Sequence, residues 1–548
     1  MTFAQLTPAF SPRPWSREEI CDWAAVLILF LVAAAAALTF RDYGLGWDDY
    51  AHAQYGELLV AFYASGFSDQ RALSFVNLHM YGGGFDMAAA LLAKMLPLTL
   101  FETRRLAGAA VGVLGLWVTW RLGRRAGGPL AGLIALILLA TCPLFVGHMF
   151  MNPKDAPFAV AIAVLLLSLV RAFEEYPRPA PATVALFGIG LGLSVGSRTL
   201  SVLAVVSALA AFALLLLIEA RTKRLHDAGA RAGRFIIALL PGFLLAYLVM
   251  ALIWPWAVLH PLNPLRAAEY FSHFFEEPWK ELFGGALIPV VDMPRSYAPT
   301  LFALKLPEIF LALGLAGTIG AFYAALRRDL PPRRRAVLLL VAMAAILPIA
   351  LTVTLRPAMY NGIRHFIFVL PPLAVLGGLA GAWLFDAVSR RFRYGPMAAA
   401  AVFLIGIALP AIEMVRLHPY QYTYFNSLAG GVAGARDRYM LDYWGLSFKQ
   451  ASQALAAQLA EQKAEKPSGR RWKLAVCGPH RSPQVELGPD FETTWDPQGA
   501  DFALMLGEFY CTTFDAPLLT EIKRESVVYA RVYDLRGRSY PSLLKPGL

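Results

Sequence analysis

Eleven stretches of about twenty mostly apolar residues run through this chain, each long enough to cross the hydrocarbon core of a bilayer as a helix. They cover roughly 22–40, 104–120, 129–146, 156–173, 182–197, 199–218, 235–254, 300–326, 336–355, 363–385 and 396–415. The composition agrees: 57% of residues are apolar and only 16% charged, where a soluble chain carries about a quarter charged residues. A soluble enzyme, a disordered tail and a fibrous repeat are excluded. The expected fold is an α-helical polytopic membrane protein of about eleven transmembrane helices. A twelfth apolar stretch, 85–101, is short and interrupted by Lys94 and Pro97. It is expected to be an interfacial helix rather than a crossing.

The basic residues orient the bundle. Alternate loops hold Arg121, Arg124 and Arg125; Arg171 and Arg178; Arg221, Lys223, Arg224, Arg231 and Arg234; Arg327, Arg328, Arg333, Arg334 and Arg335; and Arg390, Arg391 and Arg393. Concentration in every second short loop marks those loops as cytoplasmic. The formal charge of +11 is thereby explained by topology, and no nucleic-acid partner is expected. The first span is expected to stay as an uncleaved anchor, because its apolar run is long for a signal peptide. The chain divides into a cytoplasmic segment 1–21, a membrane module 22–415 and an exported tail 416–548. Two long outer loops, 41–103 and 255–299, belong to the module. The expected location is the bacterial inner membrane, with the tail in the periplasm or outside the cell.

The tail has ordinary globular composition. Residues 472–477, 502–506 and 527–532 read as short buried strands, and 448–462 as an amphipathic helix before a polar linker. A small α/β domain is expected. Four cysteines exclude a disulfide scaffold. Cys477 and Cys511 both lie in the exported part, where pairing and two separate buried thiols are both open.

Ionisable residues at membrane depth or at the mouths of spans are costly and often functional. Just after the first span stands Gly46-Trp-Asp48-Asp49-Tyr, followed by His52. One of the two carboxylates can cap the following helix. Alternatively the pair forms a general base or a metal-binding site, since adjacent carboxylates shift each other's proton affinity. Asn152-Pro-Lys154-Asp155-Ala-Pro opens the fourth span at the same outer depth. Asp155 there is a helix cap or a second acid of one cavity, and Lys154 snorkels or holds a phosphate. Arg198, Arg356 and Arg364, with His365, add cations at that face. Arginine pairs well with phosphate, so acids and arginines together fit a phosphate-bearing lipid substrate.

Asn77-Leu-His79-Met-Tyr81-Gly82-Gly83-Gly84 is expected to be a loop in close contact with a ligand, but it lacks the Gly-Lys-Ser/Thr of a P-loop. A divalent metal on His52, His79 and His148 with Asp48, Asp49 and Asp155 is conceivable, without supporting ligand spacing. No cofactor is required by the sequence. The loop 255–299, with Trp254 at its edge and Trp256, Phe271 and Trp279 within it, reads either as a lid over the site or as an interfacial aromatic belt.

The order of these motifs, with Arg104-Arg105-Leu-Ala-Gly and Arg364-His-Phe-Ile-Phe-Val-Leu-Pro-Pro, resembles the GT-C superfamily of integral-membrane glycosyltransferases. More narrowly it resembles the family 39 type, which includes protein O-mannosyltransferases and aminoarabinose transferases. The resemblance implies inverting transfer of a sugar from a polyprenyl-phosphate donor to an envelope lipid, glycan or protein acceptor on the outer face. It implies that Asp48 is the catalytic base, that Asp49 matches the second acid and that Asp155 assists. It further implies that Arg198 and Arg364 stand near the donor phosphate. Gly82-Gly83-Gly84 and the long tail with His418-Pro-Tyr-Gln-Tyr-Thr-Tyr-Phe-Asn426 depart from the family pattern. A transporter or flippase of lipid-linked saccharides is the alternative, although no internal repeat of the transporter kind is present. A structural assembly factor leaves the outer acids without a purpose.

Overall fold

The structure is a computed structural model describing residues 16–222, 224–273 and 279–546. Most of the expected cytoplasmic segment 1–21 therefore lies outside the described residues.

The helices of the first half are α1 (Arg17–Thr39), α2 (Asp49–Ala64), α3 (Gly84–Ala93), α4 (Leu100–Gly127), α5 (Pro129–Ala140), α6 (Pro143–Met151), α7 (Asp155–Glu174), α8 (Pro181–Ser197), α9 (Val202–Thr222) and α10 (Leu225–Ile253). In the second half come α11 (Pro255–Leu259), α12 (Asn263–Ser272), α13 (Tyr297–Lys305), α14 (Glu308–Leu326), α15 (Pro332–Leu355), α16 (Leu370–Arg391) and α17 (Gly395–Arg416). The tail contributes α18 (Gly431–Ala435), α19 (Phe448–Glu461) and α20 (Arg481–Leu487).

Among the described residues nine helices are long and apolar enough to cross a membrane, and the bent pair α5 and α6, with 64° between them, makes a tenth. The eleventh expected span is α8, which at 17 residues is at the short end for a crossing. The stretch 85–101 does not cross: α3 has only 10 residues. It is tied down by its own polar group, because Asp86 is buried between His52 and Arg104. The stretch 300–326 is broken at Leu306 and Pro307 into α13 and α14, since proline cannot continue a helical ladder.

Small residues set the packing. On α8, an added Cβ at Gly188 or Gly192 would lie 2.7 Å from the Gly242 carbonyl or 2.6 Å from that of Ala246 on α10. Glycines one turn apart let two helix backbones approach closely, as membrane helices require. The basic loops gather at one end of the bundle. Arg124 pairs with Asp22 and Glu18, Arg125 with Glu174, and Arg17 with Asp386.

At the opposite end lie both long loops and the tail. The second loop holds α11, α12 and the antiparallel hairpin β1 (Lys280–Phe283) and β2 (Ala286–Pro289). The tail forms a sheet of β3 (Trp472–Cys477), β4 (Phe491–Thr494), β5 (Phe502–Leu506), β6 (Leu518–Arg524) and β7 (Val527–Asp534). Its order is β4-β3-β5-β7-β6, with β3 parallel to both neighbours and the other pairs antiparallel. Helix α19 and these strands enclose the sheet's own core. Cys477 and Cys511 are joined in a disulfide. Residues 417–446 pack differently: Leu417, Tyr422, Phe425, Tyr443 and Trp444 belong to the core of the transmembrane bundle.

Candidate functional site

A cavity of about 620 Å³ opens where the first loop, the start of α7, the hairpin and the tail converge. Helix α2 begins at Asp49, and the Asp48 side chain makes no capping bond. Its carboxylate is instead 2.9 Å from the Lys154 ammonium and keeps a third of its surface open. Burial raises the cost of that negative charge. Lys154, Arg364 and His52 more than offset it and hold the Asp48 carboxyl well below the usual carboxylate range.

Asp49 points the other way. Successive residues on a helix are turned about 100° from one another. Asp49 is fully buried, takes two bonds from Arg105 at 2.8 and 2.6 Å, and accepts from the Gly46 amide. Arg105 also donates to the Gly44 and Phe150 carbonyls. Asp49 thus braces the loop that presents Asp48, and it does not line the cavity.

Asn152 supplies the cap at the start of α7, accepting from the amides of Lys154 and Asp155. That frees the Asp155 carboxylate, which lies 2.6 Å from Arg198 and accepts from the Asn152 amide group at 2.8 Å. Arg364 stands between the two acids. Its Nη1 is 3.9 Å from Asp48 and 3.7 Å from Asp155, both beyond hydrogen-bond reach. Its Nη2 donates to the Tyr360 hydroxyl at 2.6 Å, and its plane lies over Tyr360 and Trp444. Arg364 is 3% exposed, and its Nε and Nη1 have no hydrogen-bond partner among the described residues. A buried guanidinium edge without acceptors is costly, and a bound anion would satisfy it. Two carboxylates here face three cations: Lys154, Arg198 and Arg364.

Tyr81 lines the cavity, with Lys154 and Arg198 over its ring and Phe271 stacked on it at 4.1 Å. His365 lies against Tyr360 and is not among the lining residues. His79 is outside the cavity: its ring bonds the Val76 carbonyl and packs on Trp256. Arg356 is also outside, reaching the carbonyls of Asp292 and Met293.

Of the loop 77–84, Asn77, Leu78 and Tyr81 line the cavity, and the three glycines serve close packing beside it. None has a positive φ. A Cβ on Gly82 would lie 1.6 Å from the Gly196 carbonyl, and one on Gly84 would strike Ile253. Gly82 and Gly84 let α3 and its approach sit against α8 and α10, and Gly83 lies against Tyr55 and Leu59 of α2. The histidines likewise do not converge on a metal. His52 bonds Asp86, His79 bonds Val76, and His148 bonds Tyr443 and Asn152. Among the described residues no three His, Cys, Asp or Glu side chains are grouped to hold an ion.

Several residues gain their place at the site only from the fold. Asp86 and Arg104 hold His52, which lines the cavity with its Nε2 unpartnered among the described residues. Glu281 on β1 accepts from the Tyr297 hydroxyl and the Asn361 amide, fixing the turn that leads into Arg364. Burial pushes its carboxyl up to about 7. Trp279 and Lys280 line the cavity from the second loop, and Tyr443, Trp444, Phe509 and Tyr510 from the tail. The departing segment 418–426 is structural. Tyr422 lies against Gly147 of α6, and Gln421 accepts from the Tyr43 hydroxyl.

A family model described as dolichyl-phosphate-mannose-protein mannosyltransferase matches residues 87–256. The matched stretch includes Arg104, Arg105, Lys154, Asp155 and Arg198. A search of curated proteins found no match. Among solved structures, the apo oligosaccharyltransferase of Archaeoglobus fulgidus superposes with TM-score 0.52 at 13% identity, over 85% of this chain and 63% of that one. The same enzyme tethered to an acceptor peptide gives 0.51 at 15%, over 88% and 64%. This is the GT-C fold. The chain spans somewhat less than two thirds of the oligosaccharyltransferase. ArnT from Cupriavidus metallidurans in the apo state is similar over 94% of this chain and 97% of that one, with TM-score 0.48 at 15% identity. The family model covers less than a third of the chain, and the superpositions on the oligosaccharyltransferase show a likeness of fold.

Proposed function

We propose that this protein transfers a glycosyl group from a polyprenyl-phosphate-linked sugar to an acceptor hydroxyl at the outer face of a bacterial inner membrane. The observation that carries the reading is the buried Arg364 between Asp48 and Asp155, beside Lys154 and Arg198, with Nε and Nη1 lacking a hydrogen-bond partner among the described residues. This cluster has one more cation than it has anions and is ready for a phosphate. The family-model match and the fold support the reading.

In the proposed reaction the donor phosphate lies on Arg364 and Lys154, with Arg198 behind. The acceptor oxygen attacks the anomeric carbon as its proton passes to Asp48. The bond from that carbon to the phosphate oxygen breaks, and polyprenyl phosphate leaves with its charge on the cations. One displacement inverts the anomeric centre. Electrostatic stabilisation of the leaving group replaces a strong acid. Asp48 is a weak base while Lys154 is paired with it. A phosphate that draws Lys154 away raises its basicity, so donor binding prepares the base. Asp49, His79 and His365 are assigned to holding the walls, while Tyr81 contacts substrate.

The N-terminus is assigned to the cytoplasm, on the positive-inside pattern, and the sheet domain to the outer side. The test uses purified protein in lipid vesicles with a panel of radiolabelled polyprenyl-phosphate sugars. Release of polyprenyl phosphate from one of them supports the transferase. Movement of an intact donor across the vesicle membrane without release contradicts it.

A further inference from the structure

Trp47, the residue before Asp48, lines the cavity. Its indole lies 10° from parallel to that of Trp495, with ring centres 6.1 Å apart. One ring comes from the first outer loop, the other from the residue after β4 in the sheet domain. They are 42% and 53% exposed. Two stacked, half-exposed indoles beside the mouth of the cavity offer aromatic surface to a ligand. His480 tilts against Trp495 at 4.9 Å, and Arg481 lies over Tyr50 at 5.1 Å. Burial and Arg481 hold the His480 ring below its ordinary value, so near neutral pH it is uncharged and both donates and accepts.

We propose that the acceptor is a glycan, whose terminal sugar stacks on the Trp47 and Trp495 rings and presents a hydroxyl to Asp48. The inference rests on the transferase reading and names its acceptor class. A sugar ring has an apolar C–H face and a rim of hydroxyls. Paired indoles match the face, and a neutral imidazole with a neighbouring guanidinium matches the rim. A peptide acceptor finds less here. Extended peptides bind by adding a strand to a free sheet edge. Strand β4 pairs on one side only, and its other edge is occupied. Gln484 donates to the Phe491 carbonyl at 3.0 Å and accepts from the Thr493 amide at 3.3 Å. The edge beside Trp495 is therefore closed to a peptide backbone. The platform is also held firmly: His480 follows Cys477 by three residues, and Cys477 is bonded to Cys511, next to the cavity-lining Tyr510.

The test combines the full-length protein in vesicles, its radiolabelled donor and the envelope fraction of the source cells. Product label is expected to resist protease. Organic extraction then separates a lipid-carried glycan from a lipid-free one, and either location supports the proposal. Trp495→Leu keeps the apolar bulk and loses the aromatic face. Transfer to envelope material, relative to release of polyprenyl phosphate into water, is expected to fall about tenfold. Trp495→Phe is expected to restore most of it. Protease-sensitive label, or an unchanged ratio in Trp495→Leu, overturns the inference. If the wild type releases polyprenyl phosphate from no donor, the transferase reading fails first and takes this inference with it.

Discussion

Replacing Arg364 by lysine separates charge from geometry. The guanidinium donates to the Tyr360 hydroxyl, lies 4.8 and 4.7 Å from the centres of the Tyr360 and Trp444 rings, and keeps Nε and Nη1 without a hydrogen-bond partner among the described residues. A lysine keeps the positive charge but loses the fork and the stacked plane. A charge-assisted hydrogen bond is worth about 1.5–3 kcal/mol, and each cation–π contact about 0.5–1 kcal/mol. Losing one such bond and part of the stacking weakens transition-state binding by about 2–4 kcal/mol. That corresponds to a fall of about 30- to 900-fold in kcat/KM for the donor. The assay is release of polyprenyl phosphate from labelled donor, with kcat and KM measured separately and the thermal midpoint as a folding control. The reasoning is refuted if Arg364→Lys stays within threefold of wild type while folding normally. In that case Arg364 is not a phosphate ligand.

Asp49→Asn and Arg105→Gln each leave one half of a buried ion pair alone, so stability is expected to fall by about 3–5 kcal/mol. Thermal unfolding in detergent tests this, and an inactive variant of unchanged stability would make Asp49 a chemical participant. Glu281 is held protonated more tightly in the folded chain, its carboxyl pushed up to about 7 from the ordinary 4.5. The folded state therefore binds more protons than the unfolded one between those values, and stability is expected to fall as pH rises from about 4.5 to about 7. Midpoints measured across that range should show the slope in wild type and a flatter line in Glu281→Gln. Gly82→Ala places a methyl 1.6 Å from the Gly196 carbonyl, so it should loosen the joint between α3 and α8. Protease sensitivity of the first loop reports that, and wild-type resistance would contradict it.

Much of the fold was readable because its signals are local. Each expected span became one helix or, at 129–146 and 300–326, two, and the all-apolar 502–506 and the Trp472–Cys477 run became β5 and β3 with the expected bounds. Breaks were legible only in part. Pro307 stood in view inside 300–326, yet nothing in that run's hydropathy told a kinked span from two helices. At the site, residue types revealed the charges but not their partners. Asp48 and Asp49 are neighbours in sequence and do opposite things, because the helix start turns one to the cavity and the other to Arg105. The partners Asp86 and Glu281 are single carboxylates in unremarkable contexts, and burial alone gives them weight. The glycine triplet is ambiguous in sequence, because glycine serves helix–helix contact as readily as ligand contact. The tail's part in the cavity depends on contacts between residues such as His148 and Tyr443, 295 positions apart, which no local pattern encodes.

The central claim is that Asp48 accepts the acceptor's proton while the cation cluster takes the phosphate. The most direct measurement compares Asp48→Asn with wild type in single-turnover reactions, following polyprenyl phosphate release and the anomeric configuration of the product. The account predicts an inverted product from wild type. In Asp48→Asn it predicts a rate lower by about 10²–10⁴-fold, with donor binding retained and the thermal midpoint unchanged. Turnover near the wild-type rate in the asparagine variant, or a product of retained configuration, would contradict it.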